Sequence, residues 1–216
     1  MMKAIVNFLF IAGILLFFIS RQAGLMLIGL GIVGVLIFIA ERKADILDNW
    51  SALIRGAQGE GNKVVLATKE LVEKSKAPSI DINEEEVGPS LAATAFGEKR
   101  PFLIIADRRN LKLGNFKTYI NANDYGDGLF VSWYLTYMPD VWQVLISLIP
   151  GTRKAIGLDE LNLFNRQDLT AYVTCVHHCM LEAVEQMMSG KGMDASKIDR
   201  KTRDSWGFLK EILIFM

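Results

Sequence analysis

Two uncharged apolar runs near the start of the chain constrain its fold more than any other sequence feature. They cover Ala4–Ser20 and Ala23–Ala40, and only Arg21 and Gln22 lie between them. As helices that rise about 1.5 Å per residue, the two runs would each be roughly 25–27 Å long, which is enough for a thin bilayer. The sequence therefore predicts a transmembrane helical hairpin at residues 1–40.

Two other structures fit the same runs less well. One continuous helix would measure roughly 55 Å, far more than the ~30 Å hydrocarbon core of a bilayer. A cleaved signal peptide is the other alternative, because Lys3 and the apolar run after it are typical of one. No small-residue cleavage site follows, however, and a second apolar run begins at once. The hairpin is the simplest interpretation.

The bases around the hairpin predict its orientation. Its turn contains Arg21 alone, whereas its two flanks carry four bases: Lys3, Arg42, Lys43 and Arg55. Since basic residues favour the cytoplasmic side of a membrane, both ends and the large remainder of the chain are expected in the cytoplasm. The predicted location is the inner cell membrane, crossed more than once.

The overall charge of the chain argues against a nucleic-acid partner. Lys and Arg together number 24, as do Asp and Glu, so the formal net charge is zero. All the acids lie at or after Glu41, which leaves that part of the chain slightly acidic. A near-neutral domain has no long-range field with which to attract a polyanion. We therefore expect no binding to DNA or RNA.

One motif in the second apolar run resembles a cofactor signature by its letters alone. Gly29, Gly31 and Gly34 match the G-x-G-x-x-G pattern of dinucleotide-binding proteins. That pattern requires a preceding strand and a following helix within a βαβ unit. Here the glycines lie inside an uncharged apolar run, so small residues at a helix–helix contact are the better interpretation.

Residues 41–77 are predicted to form juxtamembrane helices joined by a glycine-rich segment. Apolar residues recur at helical spacing in Glu41–Arg55, and a second amphipathic helix is expected at Lys63–Lys76. Gly56, Gly59 and Gly61 interrupt the two. The acidic stretch Pro78–Pro89 is interpreted as a solvated connector.

Residues 78–216 are predicted to form a cytoplasmic α+β domain. Short runs rich in β-branched and aromatic residues predict three strands, namely Phe102–Ala106, Lys117–Ala122 and Leu129–Met138. The first of these is a continuous apolar run, which suits a strand buried on both sides. Asn123–Gly128 supplies a turn between the last two. A long helix is expected at Asn165–Ser189. The predicted fold class is therefore a membrane-anchored α+β protein with a small antiparallel sheet and packed helices.

Two further apolar segments each fit more than one environment. Val141–Ile149 has only nine residues, which is too few to span a bilayer as a helix. It is expected either to pack in the domain core or to lie at the lipid surface. Phe208–Met216 is expected to form a closing helix or strand that contacts the membrane or a partner.

The strongest candidate for chemistry lies on the long predicted helix. Four potential metal ligands fall within roughly a 60° arc of that helix: Cys175, His178, Cys179 and Glu182. Thiolate, imidazole and carboxylate suit zinc or iron. One straight helix rarely completes a metal shell, however, and Cys near an apolar stripe often acts as a small hydrophobic residue. His177 lies away from the arc and is expected to be a hydrogen-bonded boundary histidine.

A basic stretch around the first predicted strand is a candidate lipid contact. Its central residues are Arg108, Arg109 and Lys112. Near an anionic membrane each base would contribute roughly 1 kcal/mol of attraction, although a solvated hairpin end is equally ordinary.

Three functions follow from these patterns. The preferred one is a non-enzymatic, membrane-anchored scaffold or accessory subunit that binds protein partners or further copies of itself, with the lipid bilayer as its other partner. The second is a metal- or thiol-dependent membrane enzyme that uses the Cys175–Glu182 arc. The third is a membrane-tethered domain that senses anionic lipid. No hydrolase or nucleotide-binding motif is present, and no catalytic residue or resident cofactor is predicted.

Overall fold

The fold is taken from a computed structural model of the 216-residue chain. The structure describes residues 45–88, 99–107, 113–140 and 161–202, together with positions 12, 25, 29–32 and 34. Everything below refers to this part of the chain.

The described residues form a five-stranded antiparallel sheet and two long helices. In chain order the elements are β1 (Asp45–Arg55), α1 (Gly61–Lys74), β2 (Ile80–Val87), β3 (Arg100–Asp107), β4 (Phe116–Tyr125), β5 (Gly128–Tyr137) and α2 (Leu163–Gly190). Short 3₁₀ turns occupy Leu113–Asn115 and Ala195–Lys197.

The strand order is β1-β5-β4-β3-β2, so the first strand pairs with the last. Strands β2 to β5 form a meander, and α1 connects β1 at one edge to β2 at the other. The β4–β5 hairpin turns through Gly126 and Asp127, where Gly126 has a φ of +63° that side chains disfavour. A short loop and a glycine at this position set the register of the central strands.

One face of the sheet, here called the inner face, carries the core. Its side chains alternate along each strand, as expected for a sheet with one face packed on helices. Trp50, Ile120 and Trp133 lie in one row across β1, β4 and β5, and each is at most 1% exposed. Apolar residues of α1 and α2 belong to the same core cluster. Both helices therefore lie on the inner face.

Close backbone contact joins α1 to the sheet. A Cβ atom built on Gly61 would lie 2.5 Å from the carbonyl oxygen of Ala122 on β4. Only glycine therefore fits at the start of α1. Val64, Thr68 and Val72 follow on the buried side of the helix.

Several predicted elements are confirmed. The antiparallel sheet is present, and β3, β4 and β5 include the three predicted strands with small differences in their ends. The predicted helices Lys63–Lys76 and Asn165–Ser189 correspond to α1 and α2. Strong local periodicity and glycine-rich ends explain this agreement.

Two predictions about the segments before β3 are wrong. Glu41–Arg55 was expected to be helical, but Asp45–Arg55 is strand β1. Asp48, Trp50 and Ile54 point to the inner face with a period of two, which the helical spacing of other apolar residues obscured. Pro78–Pro89 was expected to be a connector, but Ile80–Val87 is the edge strand β2, whose glutamates are exposed. Charged residues are common on edge strands because they discourage pairing with other chains.

The predicted membrane anchor requires correction. In the part of the chain that the structure describes, no helix is long and apolar enough to cross a bilayer. Runs of 17–18 residues are at the lower limit for a spanning helix, and helices apolar on all sides also occur inside proteins. We therefore withdraw the membrane-anchored fold class and the multi-pass membrane location. The hairpin residues themselves, apart from positions 12, 25, 29–32 and 34, lie outside the described residues.

Two other predicted segments also lie outside the described residues, namely Val141–Ile149 and Phe208–Met216. The predicted division at residues 40 and 77 stays a prediction. Strand β1 belongs to the same sheet as the later strands, and α1 packs in the same core as the later elements.

Candidate functional site

The outer face of the sheet, opposite the helices, is the most distinctive surface of the described domain. Its central strands carry aromatic side chains, each half-buried: Phe102 on β3, Tyr119 on β4, and Phe130 and Tyr134 on β5. Leu53 on the edge strand β1 extends the apolar surface and is 50% exposed. Small polar residues lie between them, notably Ser132 and Asn121. We refer to these seven residues as the aromatic face.

The aromatic face has its own apolar centre. Ile104 is 4% exposed, although it does not belong to the core cluster beneath the helices. Beside it, the rings of Phe102 and Tyr119 meet edge to face with centroids 6.0 Å apart. Burial, and then the nearby carboxylate of Glu85, raise the pKa of the Tyr119 hydroxyl. The phenol therefore stays uncharged at any physiological pH.

Charged residues surround the aromatic face and do not enter its centre. On the outer side of the strands, Arg55 lies at the end of β1, Lys117 at the start of β4, and Asp81 and Glu85 on the edge strand β2. The rows between them contain only aromatic, aliphatic, hydroxyl and amide side chains. Depletion of charge at the centre and enrichment of aromatics are the compositional signals of a protein–protein interface.

The inner face contains a buried polar cluster under α2. The Tyr172 hydroxyl donates to the carbonyl oxygen of Ile105 and lies 2.8 Å from the Thr118 hydroxyl. Burial is the main reason that the pKa of Tyr172 is raised, and the nearby Asp107 raises it further. Asp107 is itself only 1% exposed. This cluster fixes α2 on β3 and β4.

A small cavity lies between α2 and the ends of β2 and β3. Its volume is about 90 Å³, and its walls include Asp107, Tyr172 and Cys175. Sites for drug-sized ligands are typically 300–1,000 Å³, so this cavity holds a few waters at most. Lys76 and Ser79, on the loop beside it, have positive φ angles of 53° and 58°.

His177 links α2 to strand β5 on the inner face of the sheet and to the segment that follows α2. Its Nδ1 accepts from the Trp133 indole at 2.9 Å, and because an indole can only donate, the proton of the neutral ring is on Nε2. That Nε2–H donates to the carbonyl oxygen of Arg200 at 3.0 Å. Burial, more than the nearby His178, lowers the pKa of His177. The expected hydrogen bonding of His177 is confirmed, but the residue is buried, at 7% exposed, and does not lie at the boundary of the core.

The structure does not gather the four predicted metal ligands around one point. His178 and Glu182 are exposed, Cys175 is half-buried and Cys179 is buried. Burial, and then the neighbouring Cys175, raise the pKa of the Cys179 thiol well above its ordinary value. Glu182 accepts from Gln186. Among the described residues, no group of three or more His, Cys, Asp or Glu side chains is placed to hold a metal ion.

The predicted lipid-binding residues Arg108, Arg109 and Lys112 lie outside the described residues. Lipid contact at this stretch therefore stays a prediction.

Sequence reasoning missed the aromatic face and the Tyr172 cluster. A signal for the first was present, because β5 alternates Leu129, Val131 and Trp133 with Phe130 and Tyr134, so both of its faces are apolar. Strands of this kind are usually covered on both sides. Tyr172 had no such signal, since its partners lie more than 50 residues away in the chain.

Comparison with known proteins gives no relative for this chain. No protein-family model matches it, and neither a curated protein nor a solved structure is significantly similar to it.

Proposed function

We propose that the chain is a non-catalytic scaffold whose folded domain pairs with a second copy of itself through the aromatic face. The observation that carries this proposal is the uncharged aromatic centre of a sheet face on which neither α1 nor α2 lies. Isolated surface apolar residues are ordinary, but a contiguous aromatic surface bordered by charges is typical of an interaction site.

The outer face of the sheet as a whole is large enough for a stable dimer. Five strands about 4.8 Å apart, each about eight residues long at about 3.4 Å per residue, give a face of roughly 24 by 27 Å. Two such faces would together bury about 1,300 Å², which is within the range of about 1,200–2,000 Å² for specific interfaces. Sheets also pack face to face in a common geometry, with strand directions about 30° apart.

Identical faces suit a twofold dimer because the same patch serves on both copies. Tyr and Phe supply large contact areas with few rotatable bonds, and they commonly dominate interface energies. The half-buried Ser51 hydroxyl lies beside them and can make a polar contact. The chemistry of the face therefore fits a second copy without any further component.

Sedimentation velocity of the full chain over a wide range of concentrations tests the proposal. We expect a reversible dimer, and we expect Phe130→Glu to sediment as a monomer because the charge would be buried at the centre of the interface. Leu66→Glu is the matched control, since Leu66 is 54% exposed on α1. A wild-type chain that is monomeric throughout, or a Phe130→Glu variant that still dimerises, would refute the proposal.

Metal chemistry at Cys175, His178, Cys179 and Glu182 stays a separate prediction. Elemental analysis of the purified chain tests it, with Cys175→Ala and Cys179→Ala as the variants that should lose the metal. We do not prefer it, because His178 and Glu182 are exposed whereas Cys179 is buried.

A further inference from the structure

A short segment after α2 is held against the sheet by directed polar contacts. The segment is Ile198–Lys201, here called the strap. Trp50 on β1 donates its indole N–H to the Asp199 carbonyl oxygen at 2.6 Å, and His177 on α2 donates to the Arg200 carbonyl oxygen at 3.0 Å. Two consecutive backbone carbonyls therefore bind two side-chain donors from different elements.

A third contact is an ion pair with a side chain of the strap. The Arg200 guanidinium lies 2.7 Å from the Glu185 carboxylate, two turns beyond His177 on α2. Trp133 fixes the donor on His177, because its indole occupies Nδ1 and leaves the proton on Nε2. Trp50, His177 and Glu185, here called the strap site, thus combine backbone recognition with a charge contact to one arginine.

Most of the strap lies at the surface of the domain. Asp199, Arg200 and Lys201 are exposed, and only Ile198 packs against the core, where it is half-buried. The Glu185–Arg200 pair is solvent-accessible, and solvent weakens the attraction within such pairs. Both donors are also held by residues outside the strap, since Trp50 belongs to the core cluster and the Trp133 indole donates to the His177 ring.

We infer that the strap site is a recognition site for an arginine-bearing peptide segment, which the strap occupies within its own chain. The chemistry of the strap defines the partner: two carbonyl acceptors in succession, with an arginine on the second residue. An external segment of this kind would compete with the strap, whose tethering gives it a high effective concentration. The inference is independent of the aromatic face, because the strap site lies on the side of the sheet that carries α2.

A peptide with the sequence of Ala195–Thr202, labelled with a fluorophore, provides the probe. Its binding to the full chain is measured by fluorescence anisotropy. Arg200→Ala in the full chain weakens the internal competitor, so we expect that variant to bind the peptide about fivefold more tightly than the wild-type chain. A peptide with Arg200→Ala should bind the same variant about fivefold more weakly than the unmodified peptide.

Variants of the chain test whether Glu185 binds the arginine of the peptide. Glu185→Arg, combined with Arg200→Ala, should lose affinity for the unmodified peptide and prefer a peptide with Arg200→Glu. Glu182→Gln is the matched control, because Glu182 is an exposed glutamate one turn earlier on α2. The indole N–H signal of Trp50, identified with a Trp50→Phe variant, reports on contact with the strap whichever chain supplies it.

The outcomes are decisive in either direction. Tighter binding of the peptide by the Arg200→Ala chain, together with the charge-swap preference of the Glu185→Arg chain, would support the site. Equal binding by the wild-type and Arg200→Ala chains, or equal binding of the peptides with and without arginine, would overturn it. If Arg200→Ala does not fold, the swap between Glu185→Arg and the Arg200→Glu peptide in the otherwise wild-type chain gives the same test.

Discussion

The two faces of the sheet are both apolar at their centres, but they are used differently. On the inner face, Trp133 is fully buried, belongs to the core under the helices and donates to His177. On the outer face, its neighbour Tyr134 is half-buried, lies outside that core and shares its surface with serine and asparagine. Adjacent residues of one strand therefore contribute to two separate surfaces.

This difference separates the residues that stabilise the fold from those that are proposed to mediate association. Residues on the inner face are constrained by close packing, so changes there lower stability. The aromatic side chains of the outer face are only half-buried, so changes there should alter association and leave the fold intact. The predictions below test this separation, beginning with the largest expected effect.

Trp133→Ala should have the largest effect on folding. Removing a fully buried indole leaves a cavity and costs about 3–5 kcal/mol of unfolding free energy. Urea denaturation measures the change. Tyr134→Ala is the matched control on the same strand, and a loss of about 1 kcal/mol or less is expected for it. Equal losses at the two positions would contradict the proposed division between the faces.

Gly61→Ala should also destabilise the fold, by about 1–3 kcal/mol. The added methyl group would lie 2.5 Å from the Ala122 carbonyl oxygen, and backbone atoms cannot move aside cheaply. Thermal unfolding measures the loss. Gly114→Ala, where nothing lies within 4 Å of the added carbon, is the control and should change the stability little. A Gly61→Ala variant as stable as wild type would show that α1 is not held close to β4.

Acidification should weaken the inner face through His177. Burial lowers its pKa in the folded state, so folding favours the neutral ring and stability is fully present above the unfolded pKa of about 6.5. As the pH falls below that value, the unfolded chain binds the proton more readily and stability declines until the folded pKa is passed. Urea denaturation as a function of pH should therefore be flatter for His177→Gln. A His177→Gln variant whose stability changes with pH as steeply as that of the wild-type chain would argue against this role of the ring.

The smallest effect is expected at the edge of the sheet. Lys69 and Glu84 form a salt bridge of 2.8 Å between α1 and β2, and both side chains reach solvent. Breaking it with Glu84→Gln should lower the free energy of unfolding least of these changes, and less still at high salt. Chemical denaturation at two salt concentrations measures this. A loss comparable to that of Trp133→Ala would mean that the edge contributes more to the fold than its exposure indicates.

The sequence predicted the elements whose periodicity is strong and local. Strands β3 to β5 and helices α1 and α2 have apolar repeats and clear ends, so they could be predicted without tertiary information. Strand β1 could not, because its inward Asp48 and outward Leu53 disturb the alternation, and a β-bulge near Asp48 shifts its register. Its place beside β5 depends on contacts across about 80 residues of chain.

The candidate sites were less accessible to sequence reasoning. The cysteines and His178 do share one side of α2, but a shared side of one helix does not bring enough ligands to one point. The strap site combines Trp50, His177 and Glu185 from two elements, and only the fold brings them together. The aromatic face could have been predicted from the doubly apolar β5, once its antiparallel neighbours were known.

Photo-crosslinking tests pairing through the aromatic face most directly. Benzoylphenylalanine in place of Tyr134 is irradiated in the full chain, and the joined peptides are identified by mass spectrometry, with the same group at Leu66 as the control. We predict crosslinks from position 134 to β3, β4 or β5 of a second copy, and none between copies from position 66. Crosslinks from position 134 that stay within one chain, or reach only the helices of a second copy, would contradict the account.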